Sequence, residues 1–115
     1  MVNIESLVIS HLNTVFGAGF AFGDVPADRP TRFATVERTG GPYSEHRDLP
    51  LLVVQCWEST RHAASELALT VRDAVNGLSA HPNVGRVRVT ALYNFPDGQS
   101  GHPRYQMTVE MVTKG

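Results

Sequence analysis

Along this 115-residue chain the spacing of apolar positions switches between helical and alternating, and each switch marks a new element. Ile4, Leu7, Val8, Leu12 and Val15 fall at helical spacing and predict a first helix. Asn3 suits its N-cap, and Glu5 suits the positive end of its dipole. Gly17 and Gly19 are expected to end it, because glycine enters the left-handed region without a Cβ penalty. Phe20 to Val25 is a short candidate strand closed by Pro26, and Phe33 to Arg38 alternates as a strand. Leu51 to Trp57 is apolar almost without a break, the pattern of a central strand covered on both faces. A second helix follows, capped by Ser59 or Thr60 and ending near Asn76-Gly77. Its buried stripe is Ala64, Leu67, Ala68, Val71, Val75 and Leu78.

Two alternating runs complete the pattern: Val87, Val89, Ala91, Tyr93, and then Tyr105, Met107, Val109, Met111. Setting Tyr93 opposite Tyr105 pairs Ala91 with Met107, Val89 with Val109 and Val87 with Met111. The other face then pairs Thr90 with Thr108 and Arg88 with Glu110, opposite charges. A one-residue slip would turn the apolar face to water.

The order is helix, two strands, a central strand, helix and two long strands. It predicts an α+β fold: a mainly antiparallel sheet of about five strands with two helices packed on it, in a single domain over residues 1–115. Thr39 to Pro50 and Asn94 to Pro103 read as long connections, and loops of that length usually serve a purpose, often binding.

Composition narrows the function classes. Ten Lys and Arg against eleven Asp and Glu give a net charge of −1, which argues against a protein held on nucleic acid mainly by charge. The lone cysteine, Cys56, cannot form an internal disulfide. No apolar run approaches a membrane span, and the N-terminus lacks the basic-then-apolar layout of a signal peptide.

Chemical motifs are sparse. The five histidines, His11, His46, His62, His81 and His102, lack metal-ligand spacing, although His46 and His102 lie in the two long connections. His11 reads as a residue at the edge of the core, and His62 with Glu66 as a surface i,i+4 pair. Gly98-Gln99-Ser100-Gly101 falls short of a nucleophile elbow, because position 102 is His and a strand follows. Gly40-Gly41 opens no helix and is no phosphate cradle. Cys56 beside Trp57 reads as core. The expectation is a protein without enzymatic activity, cofactor or bound metal.

Several phrases carry a family likeness. Asp28-Arg29-Pro30 leads into Phe33-Ala34-Thr35-Val36-Glu37-Arg38-Thr39-Gly40-Gly41, and Asp48-Leu49-Pro50 into the apolar run ending Cys56-Trp57. Asn94-Phe95-Pro96-Asp97 and Gly101-His102-Pro103-Arg104-Tyr105 open the last strand. This layout resembles the tail terminator (tail completion) proteins of long-tailed, non-contractile bacteriophages, especially those infecting actinobacteria. The resemblance implies a lambda-type tail-terminator-like fold and a structural virion protein, assembled in the host cytoplasm and placed at the head-proximal end of the tail. Such proteins form a hexameric ring on the last tube subunits, stop tube polymerisation and present the surface that joins the head connector. The expected partners are other copies of the chain, the major tail protein and the connector. The genome passes through the hole, and a near-neutral chain suits passage without retention.

A ring needs head-to-tail interfaces, in which two different patches of one subunit meet. The residues expected at subunit, tube or connector interfaces are Arg29, Arg32, Arg38, Glu45, Arg47, Asp48, Asp97 and Arg104. Three other readings stand beside this one: another phage neck protein, a small-molecule-binding α+β domain with a pocket under residues 94–103, and, weakest, a hydrolase using Ser100 or Cys56.

Overall fold

The computed structural model describes residues 3–44 and 47–114. Helix α1 spans Ile4–Phe16, and Asn3 caps it by accepting the Ser6 amide at 3.2 Å. Strands β1 (Ala21–Phe22) and β2 (Phe33–Gly40) follow, then two short strands, β3 (Tyr43–Ser44) and β4 (Arg47–Asp48). Strand β5 is Leu51–Trp57 and helix α2 is Arg61–Asn76, with Thr60 as its N-cap through the Ala63 amide. A short 3₁₀ turn at Gly77–Ala80 leads to β6 (Val84–Asn94) and β7 (Arg104–Lys114).

Antiparallel pairing joins β2 to β5, β5 to β7 and β7 to β6, while β1 lies parallel to β2. β3 pairs with β4, and β4 continues along the same side of β7 that β5 occupies. The fold is therefore α+β with a mostly antiparallel sheet, as the alternation predicts. The stretch from Thr39 to Pro50, in its described residues, is not an open loop. It is the far half of one long hairpin whose two sides are β2–β3 and β4–β5.

Both helices lie on one face of the sheet. Ile4, Val8 and Leu12 of α1 and Ala64, Leu67, Ala68, Val71 and Val75 of α2 bury against Ala34, Val36, Leu52, Val54, Cys56, Met107, Val109 and Met111. Burying each such large aliphatic side chain contributes roughly 1.5–3 kcal/mol, so the helix stripes dictate which face of the sheet is core. The α2 stripe is the expected one, Leu78 included, whereas Val15 of α1 stays 52% exposed. Asn13 ties α1 to β1, its side-chain oxygen accepting from the Phe20 and Ala21 amides at 3.0 and 2.8 Å.

Two expectations need correction. β5 is central, but its burial alternates: the even positions from Leu52 to Cys56 face the helices, and the odd positions from Leu51 to Gln55 are half-buried on the helix-free face. Only at Trp57 is that second face fully covered. The β6–β7 register holds for Val87, Arg88 and Val89 opposite Met111, Glu110 and Val109, then shifts at a bulge. Beyond it Ala91 pairs with Thr108, Leu92 with Met107 and Asn94 with Tyr105. The extra residue, Thr90, turns Leu92 onto the core face, which strict alternation would have sent to water.

Candidate functional site

The sheet is elongated, within overall extents of 42 × 25 × 24 Å, and its chemistry gathers at its two ends and on its helix-free face. At the first end lies the neck of the long hairpin. A bulge at Thr39 lets the Arg38 side chain turn back along the strand. Its guanidinium meets the Asp48 carboxylate through two bonds of 2.5 and 2.8 Å and donates to the Gly40 and Gly41 carbonyls at 2.9 and 3.0 Å. Asp48 is 5% exposed. The Arg38 hydrogen bond holds its carboxyl below the usual carboxylate range despite burial, and the same bond raises the Arg38 guanidinium. Glu5 of α1 accepts the Arg38 backbone amide at 2.7 Å, so the first helix is anchored to the same strand.

Gly41 makes this neck possible. It sits at φ +99°, and a Cβ there would lie 2.1 Å from the Leu49 carbonyl oxygen and 2.7 Å from the Leu51 nitrogen. Beside it, Pro42, Leu49, Pro50, Leu51 and Val112 floor an apolar groove of about 360 Å³, with Arg86 and Arg88 among its lining residues.

The opposite end is built from arginines on aromatic rings. Phe33 and Trp57 are register partners with parallel rings 5.4 Å apart. Arg29 lies over both, 5.4 and 4.9 Å from their centroids, and Arg104 lies 4.9 Å from both Trp57 and Phe95. Arg32 lies over Phe16 and Phe20, with Glu58 4.0 Å away. Such cation–π contacts hold long cations in fixed positions and contribute about 0.5–2 kcal/mol each.

Between the ends, a row of side-chain hydrogen bonds crosses the helix-free face. Trp57 Nε1 donates to Thr35 Oγ1 at 3.2 Å, and Thr35 donates to Gln55 at 3.1 Å. Gln55 donates to Gln106 at 2.8 Å, and Gln106 donates to the Tyr93 hydroxyl. The row links β2, β5, β7 and β6, and slippage of any one strand would leave partly buried amides unpaired. Sequence reasoning missed it; the signal was a glutamine, Gln55, within an otherwise apolar run.

The expected interface residues fall into two groups. Arg29, Arg32 and Arg104 lie together at the aromatic end, and Asp97 stands in the adjoining β6–β7 turn. There the Ser100 hydroxyl donates to Asp97 at 2.6 Å, and with the Gln99 amide it keeps that carboxyl below its usual range. Arg38, Arg47 and Asp48 lie at the hairpin end, where Arg47 is exposed. Arg38 and Asp48 are committed to each other, which leaves less of their charge for a partner than an open loop would. Glu45 and His46 lie outside the described residues.

Other candidate groups have plain local roles. His11 bonds the Ala74 carbonyl at 2.7 Å and joins the two helices, and His62 lies 3.9 Å from Glu66 on the exposed side of α2. Cys56 is fully buried, which pushes its thiol up to about 12. Among the described residues no group of three His, Cys, Asp or Glu side chains is placed to hold a metal ion. Among the described residues no helix is long and apolar enough to cross a membrane.

This architecture has a solved counterpart. A chain from the virion of a native gene transfer agent (GTA) particle shares the fold. Superposition gives a TM-score of 0.68 at 10% sequence identity, covering 94% of this chain and 92% of that one. At that identity the likeness speaks for the fold alone. No protein-family model and no curated protein sequence matches the chain.

Proposed function

We propose that this chain is a structural virion protein of a phage-like particle, and within that class a tail terminator. The observation that carries the reading is the fold shared with a GTA virion chain across nearly the full length of both. The family resemblance in Asp28-Arg29-Pro30, Val36 to Gly41 and Pro103-Arg104-Tyr105 points the same way from the sequence. In this reading copies of the chain form a ring, expected to be hexameric, that caps the tail tube, arrests its growth and receives the head connector. DNA passes through the hole without specific binding.

The two ends of the sheet suit the two axial partners of such a ring. The hairpin end carries Arg38, Arg47 and Asp48, and the aromatic end carries Arg29, Arg32, Asp97 and Arg104. One end meets the tube protein and the other the connector. Arginines fixed on aromatic rings have little side-chain entropy left to lose on docking.

The test is polymerisation of purified tube subunits with and without this protein, followed by electron microscopy. Tubes that stop growing and carry a ring at one end support the terminator reading. Tubes that elongate unchanged while the protein binds the connector would assign it to the neck instead and overturn the terminator step.

A further inference from the structure

The two edges of the sheet carry groups of opposite charge. On one side, among the described residues, β6 pairs only with β7, so the outer edge of an 11-residue strand is left without a partner strand. It contains no proline to blunt it. Arg86 and Arg88 stand on this strand, both exposed, and register opposite Val112 and Glu110 puts them on the helix-free face. Neither forms an ion pair among the described residues, Glu110 beside Arg88 included. On the other side, where β1 runs along β2, Asp24 and Glu37 line one polar cleft with Thr35, Val53 and Gln55. Both carboxylates are exposed, and neither has a cationic partner among the described residues.

We propose that these two edges are the two halves of a head-to-tail contact between copies of this chain. Arg86 and Arg88 of one copy meet Asp24 and Glu37 of the next. The pairing rests on the ring-forming reading above and deepens it by naming the subunit interface. Three features favour a second copy as the occupant. The charges are complementary and unspent within the subunit. Both patches face the helix-free side, so one copy's open face continues into the next. The patches are different and lie at opposite edges of the sheet, which makes the contact heterologous and able to close by rotation. Arg86 and Arg88 stand two residues apart on a strand, about 7 Å, a spacing that two carboxylates lining one small cleft can match. The unpaired β6 edge is covered in the same contact. A net charge of −1 conceals this polarity, because the two edges nearly cancel.

The experiment is a charge swap read by sedimentation velocity and native mass spectrometry at low salt. Two doubles are made, Arg86→Glu with Arg88→Glu, and Asp24→Arg with Glu37→Arg, each checked for folding by circular dichroism. The wild type is expected to form a closed oligomer that weakens as salt rises. Each double is expected to associate at least about tenfold more weakly, since like charges then face each other. Mixed in equal amounts, the two doubles are expected to reassemble into alternating rings, which simple misfolding could not produce. Doubles that assemble as well as the wild type, a mixture that stays dissociated, or a wild type that never self-associates would each overturn the pairing. A ring that survives both reversals overturns the pairing alone and leaves the terminator reading to the tube-growth test.

Discussion

Arg38 holds Asp48 across the neck of the long hairpin with two guanidinium nitrogens, at 2.5 and 2.8 Å, ten residues apart in sequence. The carboxylate is almost wholly buried, while the arginine side chain is 30% exposed. The pair therefore acts as a lock on backbone shape, and removing one partner leaves a desolvated charge behind.

The lock should respond to acid. Asp48 titrates lower in the folded protein than in the unfolded chain, so its stabilising contribution is present above the ordinary carboxylate range. It is lost as pH falls through the depressed folded value. Urea melts at neutral pH and down toward pH 2 should show this loss, and Asp48→Asn should lose stability at neutral pH, about 2 kcal/mol, and show a flatter acid dependence. A wild-type and Asn pair with parallel pH profiles would contradict the assignment. Reversal of Asp48 is accordingly not a fold-neutral probe of assembly.

Gly41→Ala should destabilise the protein by about 3 kcal/mol or more. The substitution combines a positive φ with a Cβ forced onto the Leu49 carbonyl and the Leu51 nitrogen. Thermal melts of this variant against Gly101→Ala, where φ is also positive (+73°) but a Cβ meets nothing within 4 Å, isolate the close approach. Equal melting temperatures for the two would refute it.

The bulge at Thr90 makes an asymmetric prediction on adjacent residues. Leu92 turns inward against Met107, and Ala91 turns outward. Leu92→Asp should cost about 2 kcal/mol or more, and Ala91→Asp should stay within about 0.5 kcal/mol. Strict alternation predicts the reverse order, so chemical denaturation of the two variants decides between the registers.

Cys56 should be inert to thiol reagents in the folded state. It is fully buried, and its thiol is pushed up to about 12. Labelling with a disulfide reagent at pH 8 should proceed only at the rate of opening and reach completion at once in denaturant. Rapid labelling of the native protein would show a more open β5 than described.

The helices and the long strands were legible in the sequence because local spacing alone specifies them. The α2 stripe from Ala64 to Leu78 is buried throughout, Asn3 and Thr60 cap the helices, and Arg88 lies opposite Glu110. The hairpin neck was not legible. Polar residues from Thr39 to Pro50 read as a loop, since nothing local announces that Arg38 will turn back onto Asp48. The expected interface arginines were named individually, but their separation into two ends follows from register, which places Trp57 beside Arg104 and Asp48 beside Thr113.

What the sequence determined by itself is the α+β class, the helix faces and the pairing of the last two strands as far as Val89, because periodicity is a property of neighbours along the chain. Tertiary structure alone decided which face of β5 stays open, where the bulge re-aims Leu92, and that acidic and basic edges lie on opposite sides of one sheet. Those depend on residues distant in sequence, such as Asp24 with Glu37 and Arg86 with Val112, which strand pairing brings together.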